Sequence, residues 1–190
     1  MEARENFRLV SSGRMNPYTP WSLLGWRDTG MLIPVNGLFE AHLVVQDVPR
    51  SIAFYRDVVG LELALSDPAR PAAFFWLGGR CHTMLGLHSA SSFARALGTS
   101  PQFMQQHVAF RVELESLLEA PERLRAAGIT PRDNQRNPVD EPIVFAWMPA
   151  VSVFFHDPDG HLLEFISVLP GAARPELGVL SWSAWQEMES

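Results

Sequence analysis

The 190 residues carry 15 basic against 21 acidic side chains, a formal net charge of −6, and a chain this acidic lacks the cationic surface that a nucleic-acid backbone or an anionic membrane demands. Every basic residue is arginine, and a sequence without lysine supports neither Schiff-base chemistry, nor pyridoxal attachment, nor a phosphate-loop lysine. One cysteine, Cys81, excludes an internal disulfide and a four-cysteine zinc site, and no run of about 20 apolar residues is present to cross a bilayer. The expected partner is therefore a small molecule. With no signal-peptide pattern at the N-terminus, the expected compartment is the cytoplasm.

Residues 1–37 mix Pro, Gly, Ser and Asn with isolated aromatics and hold no sustained period, which predicts an irregular N-terminal arm. Met31 falls just before the first convincing strand and is a candidate native start. From Leu38, "LFEAHLVVQ" reads as a strand and "DVPRSIAFYRDVVG" as a helix, with Pro49 in its first turn and Gly60 as its stop. Val48, Ile52, Tyr55 and Val59 fall on one face of that helix. The runs "LELAL", "AAFFWLG" and "HTMLGLH" follow as strands, separated by Asp-Pro, Arg-Pro and Gly-Gly breaks.

A polar connector, "SASSFARALGTSPQ", leads into "QQHVAFRV". "ELESLLEAPERLRAAG" reads as helical in its second half, with Pro121 in a first turn and Gly128 as the stop. "ITPRD", "IVFAWM" with "AVSVFF", and "HLLEFISVL" then supply strands around a polar loop, "NQRNPVDEP". The order of elements repeats. The expectation is an α+β fold in which paired βαβββ modules, about residues 38–90 and 104–169, form a cupped mixed sheet around a central site. Residues 170–190 form a C-terminal tail, in which Trp182, Trp185 and Met188 have near-helical spacing suited to covering the core or a second subunit.

The repeat places Glu40 on His107 and Gly86 on Glu164. Strand alternation then points Glu40 with His42, Gly86 with His88, and Leu162 with Glu164. Imidazole and carboxylate groups on rigid strands are the donors that metal sites favour, and His107 and Glu164 meet that description. Glu164 lies among Leu162, Leu163, Phe165 and Ile166, so an inward-facing carboxylate would need a partner. Spacing alone leaves open a plainer arrangement, with Glu164 on the solvent face of an edge strand and His107 merely opening a strand. Asp157 and Asp159 read as turn formers in "DPDG", and Tyr55 and Trp147 as packing residues.

"DVPRSIAFYRDVVGLEL", "HVAF" and "DPDGHLLEF", in this order over roughly residues 38–169, resemble the vicinal oxygen chelate superfamily. That superfamily includes glyoxalase I, fosfomycin thiol transferases, bleomycin-resistance proteins and extradiol dioxygenases. The resemblance implies a divalent metal (Zn, Ni, Mn, Co or Fe) acting as a Lewis acid on adjacent substrate oxygens. It assigns His107 and Glu164 as ligands and puts Glu40, seven residues before Asp47, at the first-strand ligand position, with His42 as second choice. Glu164 and Glu40 are also the carboxylates it offers for proton transfer. Gly86 stands where glyoxalase I has a fourth ligand, which leaves a three-ligand site.

The implied activity is that of a glyoxalase-like lyase, isomerase or thiol transferase acting on a small oxygen-rich molecule. The alternatives are a non-catalytic drug-binding protein resembling bleomycin-resistance proteins and an extradiol dioxygenase using His42, His107 and Glu164. Pairing of modules within or between chains in the superfamily allows a homodimer. Arg111, Arg132 and Arg136 are candidates for holding an anionic substrate.

Overall fold

A computed structural model describes residues 37–100 and 102–189. Residues 1–36 of the expected arm, and with them the Met31 start, lie outside the described residues. Strand β1 (Glu40–Val45) runs into helix α1 (Val48–Asp57). Asp47 caps this helix, its carboxylate accepting from the Arg50 N–H at 3.0 Å, and Pro49 occupies the first turn, where its missing N–H is not needed. Val48 and Tyr55 are buried, and Ile52 and Val59 pack beside them. Strands β2 (Glu62–Asp67), β3 (Ala72–Leu77) and β4 (Thr83–Ser89) complete a sheet of order β1-β4-β3-β2, with β1 parallel to β4.

Helix α2 (Ala90–Leu97) occupies the stretch expected as a connector. Its serines suggest a loop, but Ser89 is an N-cap that accepts from the Ser92 N–H at 3.2 Å, and the Ala, Arg and Leu that follow are good helix formers. The second module then repeats the first: β5 (His107–Arg111), α3 (Leu114–Ala126), β6 (Ile143–Phe145), β7 (Ala150–His156) and β8 (Leu162–Val168). Helix α3 is continuous, so Pro121 lies inside it rather than in a first turn. Proline forfeits one helical hydrogen bond there, yet Leu117, Ala120, Pro121 and Leu124 are all buried, and packing of that face holds the helix.

Two expected strands shrink. "ITPRD" contributes only isolated bridges from Arg132 to Pro138 and Phe154. The "IVFAWM" strand stops at Phe145, and Trp147 sits 57% exposed in the turn that follows instead of packing in the core. The tail adds structure of its own: β9 (Val179–Ser181) pairs with β6, giving a sheet of order β5-β8-β7-β6-β9, and α4 (Trp182–Glu189) buries Trp185. The α+β fold of paired βαβββ modules is what the chain adopts.

The repeat register holds at residue level. β1 and β4 pair His42 with Gly86, and β5 and β8 pair Ala109 with Glu164, which is the correspondence expected from placing Glu40 on His107 and Gly86 on Glu164. One hydrophobic cluster joins both modules: Leu43, Val45, Phe75, Leu85 and Leu87 from the first, and Phe110, Leu124, Val153, Phe155 and Leu163 from the second. Since successive strand residues point to opposite faces, the residues between these core positions face away from the shared core. Those outward faces carry the polar candidates.

Candidate functional site

On the second module's outward face, Glu164 is flanked by Ala109 on β5 and Phe154 on β7. Its side chain is only 7% exposed, and one carboxylate oxygen lies 3.1 Å from His107 Nε2. A buried carboxylate without a partner would pay a large desolvation penalty, so the strand register and the histidine together account for its place. The His107 ring leans on Phe154, with centroids 5.9 Å apart, and stays about half exposed. Arg111, paired with Ile166, lies on the same face and is exposed. Arg132 instead donates to the Arg136 carbonyl at 2.7 Å and closes its own loop.

On the first module's outward face, His42 Nδ1 and His88 Nε2 are 2.8 Å apart. His42 Nε2 faces the Glu40 carboxylate at 3.5 Å, an ion-pair contact longer than a normal hydrogen bond. Burial, and next the neighbouring His42, hold His88 below the ordinary histidine pKa. Phe74 and Phe93 close around the pair, with ring centroids 5.4 to 6.2 Å from the two imidazoles.

The structure therefore brings His107 to Glu164 and Glu40 to His42, but it does not bring Glu40 or His42 to the second module's pair. Among the described residues of one chain, no three His, Cys, Asp or Glu side chains converge on a point that could hold a metal ion. The Glu40–His42–His88 row does not qualify, because its contacts use opposite edges of the His42 ring.

The Asp-Pro-Asp-Gly turn does more than reverse the chain. Asp157 accepts from the N–H groups of Asp159 and His161 at 2.9 and 2.8 Å and from the Tyr55 hydroxyl at 3.0 Å. Tyr55 is thus both a packing residue and a donor; burial, then the Asp157 charge, push its pKa well up. Asp159 pairs with Arg50 and accepts from the Gln46 N–H at 3.1 Å and the Ser51 hydroxyl at 3.3 Å. His161 donates from Nε2 to the Val44 carbonyl at 2.8 Å and accepts the Gln106 N–H at Nδ1 at 3.0 Å, which fixes its neutral tautomer. The turn staples the second module to the end of β1 and the start of α1. Turn chemistry alone already explained the motif, so the sequence carried no separate signal for this second duty.

Residues 37–165 match the profile of the Glyoxalase/Bleomycin resistance protein/Dioxygenase superfamily. The chain belongs to that superfamily. Among solved structures it resembles an integron cassette protein from the mobile metagenome of Halifax Harbour Sewage Outfall, at 33% identity over 70% of this chain and 100% of the other, with a TM-score of 0.55. It also resembles a lactoylglutathione lyase from Agrobacterium tumefaciens, at 28% identity over 71% of this chain and 96% of that one, with a TM-score of 0.56. A glyoxalase/bleomycin resistance protein/dioxygenase from Nocardioides shares the fold at 24% identity, covering 74% and 89% of the two chains, with a TM-score of 0.56.

For a member of the glyoxalase superfamily the divalent metal implied by the sequence motifs can be tested against the donors present. In kind they fit, being imidazoles and a buried carboxylate. In number, among the described residues, each outward face of one chain falls short.

Proposed function

We propose that two copies of this chain hold a divalent metal between them and act as a glyoxalase-like enzyme, a lyase, isomerase or thiol transferase, on a small oxygen-rich molecule. The observation that carries this reading is the division of donors between two faces turned away from one shared core. A closed two-fold dimer can set the first-module face of each copy against the second-module face of the other, making two equivalent sites. β1 and β5 are edge strands, and such edges call for cover. Phe39 and Met104, which lead into them, are 56% and 71% exposed.

When bound, the metal would supply Lewis-acid polarisation of adjacent substrate oxygens. His107 and Glu164 would hold it from one copy. Phe154 packs against the His107 ring, and the 3.1 Å contact holds that ring toward the carboxylate. Arg111, exposed on the same face, would meet an anionic group on the substrate.

A second reading is metal-free binding of a flat small molecule, favoured by the cluster of Phe74, Phe93, His42 and His88 rings. Elemental analysis with sedimentation of the purified protein separates the two. The enzyme reading expects a dimer with about one ion per chain, lost in His107→Ala and in Glu164→Ala. Metal content unchanged by both substitutions, or a monomer without metal, overturns it.

A further inference from the structure

We propose that the first module contributes His42 and His88 to the metal, with Glu40 standing behind His42 as a positioning residue. This rests on the intermolecular metal site proposed above and names which side chains complete it. The two imidazoles bring one nitrogen each together, Nδ1 of His42 and Nε2 of His88, 2.8 Å apart. Two nitrogens bound side by side to one ion at about 2.1 Å each lie roughly 3 Å apart. An ion can therefore take the place of their hydrogen bond once both rings turn to aim these nitrogens at it, His88 keeping its proton on Nδ1.

Gly86 makes this arrangement possible. A Cβ built on it would lie 2.4 Å from His42 Nδ1 and 2.9 Å from its Cε1. The atom met first is the same nitrogen that reaches His88, so the bare backbone at 86 is the clearance through which the His42 ring crosses β4. The second module solves the same cross-strand problem in reverse. There the small residue is Ala109 and its partner Glu164 carries the polar side chain, whereas here Gly86 is small and His42 is polar. A missing ligand at 86 is thus matched by a ligand gained at 42.

Glu40 lies on the far side of the ring. Its carboxylate is 3.5 Å from His42 Nε2, the nitrogen turned away from His88. A carboxylate behind a ligating imidazole orients the ring and raises its basicity, and losing such a group weakens metal affinity about 10- to 100-fold. Phe74 and Phe93 pack beside both rings.

The test is cobalt(II) titration of the full-length protein, read by visible absorption and by calorimetry, with circular dichroism to verify folding of each variant. His42→Ala and His88→Ala are each expected to weaken cobalt binding more than about 100-fold, and Glu40→Gln only about tenfold. Gly86→Ala should behave like His42→Ala, since the added methyl meets a side-chain ring rather than backbone. Cobalt affinity unchanged in either histidine variant, or lost more completely in Glu40→Gln than in His88→Ala, overturns the assignment while leaving an intermolecular metal site standing. A wild-type protein that takes up no cobalt overturns both.

Discussion

Replacing Asp159 by alanine tests whether the Asp-Pro-Asp-Gly turn holds the modules together. The Asp159 side chain is fully buried, while its partner Arg50 is 47% exposed. Truncation removes the charged acceptor of the Gln46 N–H and releases Arg50 to water. The bond from Gln46 to a charged acceptor is worth about 2 kcal/mol, and the half-exposed ion pair adds no more than about 1 kcal/mol. The 3.3 Å contact from Ser51 is long, and that hydroxyl can turn elsewhere. The expected loss is therefore about 3 kcal/mol. With a urea dependence of about 2 kcal/mol per molar, the midpoint in metal-free buffer should fall by about 1.5 M. Asp159→Asn keeps an acceptor for Gln46 and should lose about 1 kcal/mol. An Asp159→Ala protein within about 0.5 kcal/mol of the wild type would show that the staple contributes nothing, and the reasoning would fail.

Tyr55→Phe removes one hydroxyl from the same turn and leaves the Asp157 carboxylate its two N–H donors; urea unfolding should show a loss of about 1 kcal/mol, and a gain would contradict the contact. Burial, then Arg132 and Arg136, hold His156 below its ordinary value of 6.5. Below about pH 6.5 the unfolded chain takes up protons that folded His156 refuses, so this residue makes stability fall as the pH drops, until the folded pKa is passed. Urea midpoints measured from pH 7.5 to 5 should fall less steeply in His156→Gln than in the wild type, and parallel slopes would refute this.

Much of the fold was legible because local chemistry and packing agree along the first module. Asp47 and Pro49 mark the start of α1, Gly60 lies three residues past its last residue, Asp57, and alternation along β1 sorts His42 from Leu43 before any contact is known. The correspondence between the His42–Gly86 and Ala109–Glu164 pairings followed from placing Glu40 on His107 and Gly86 on Glu164, although neither pairing was itself legible. Pro121 misled because burial of Leu117, Ala120 and Leu124 outweighs one forfeited helical bond, and tertiary packing of that kind leaves no trace in a local window. The grouping of donors was hidden for a different reason. Periodicity tells which residues share a sheet face, but not which way two sheets turn when they pack. Glu40 and His107 therefore correspond in the repeat without meeting in one chain. Nor does a glycine at position 86 announce that its empty space is filled by His42.

The central claim is that the metal lies between copies, and mixing two variants tests it most directly. One variant carries His42→Ala with His88→Ala, the other His107→Ala with Glu164→Ala. In a mixed dimer one site keeps both of its faces intact and the other keeps neither. The account predicts that neither variant alone binds cobalt(II), and that the mixed dimer, purified through two different tags, binds one ion. A mixed dimer as empty as its parents, or either variant retaining wild-type metal content by itself, would contradict it.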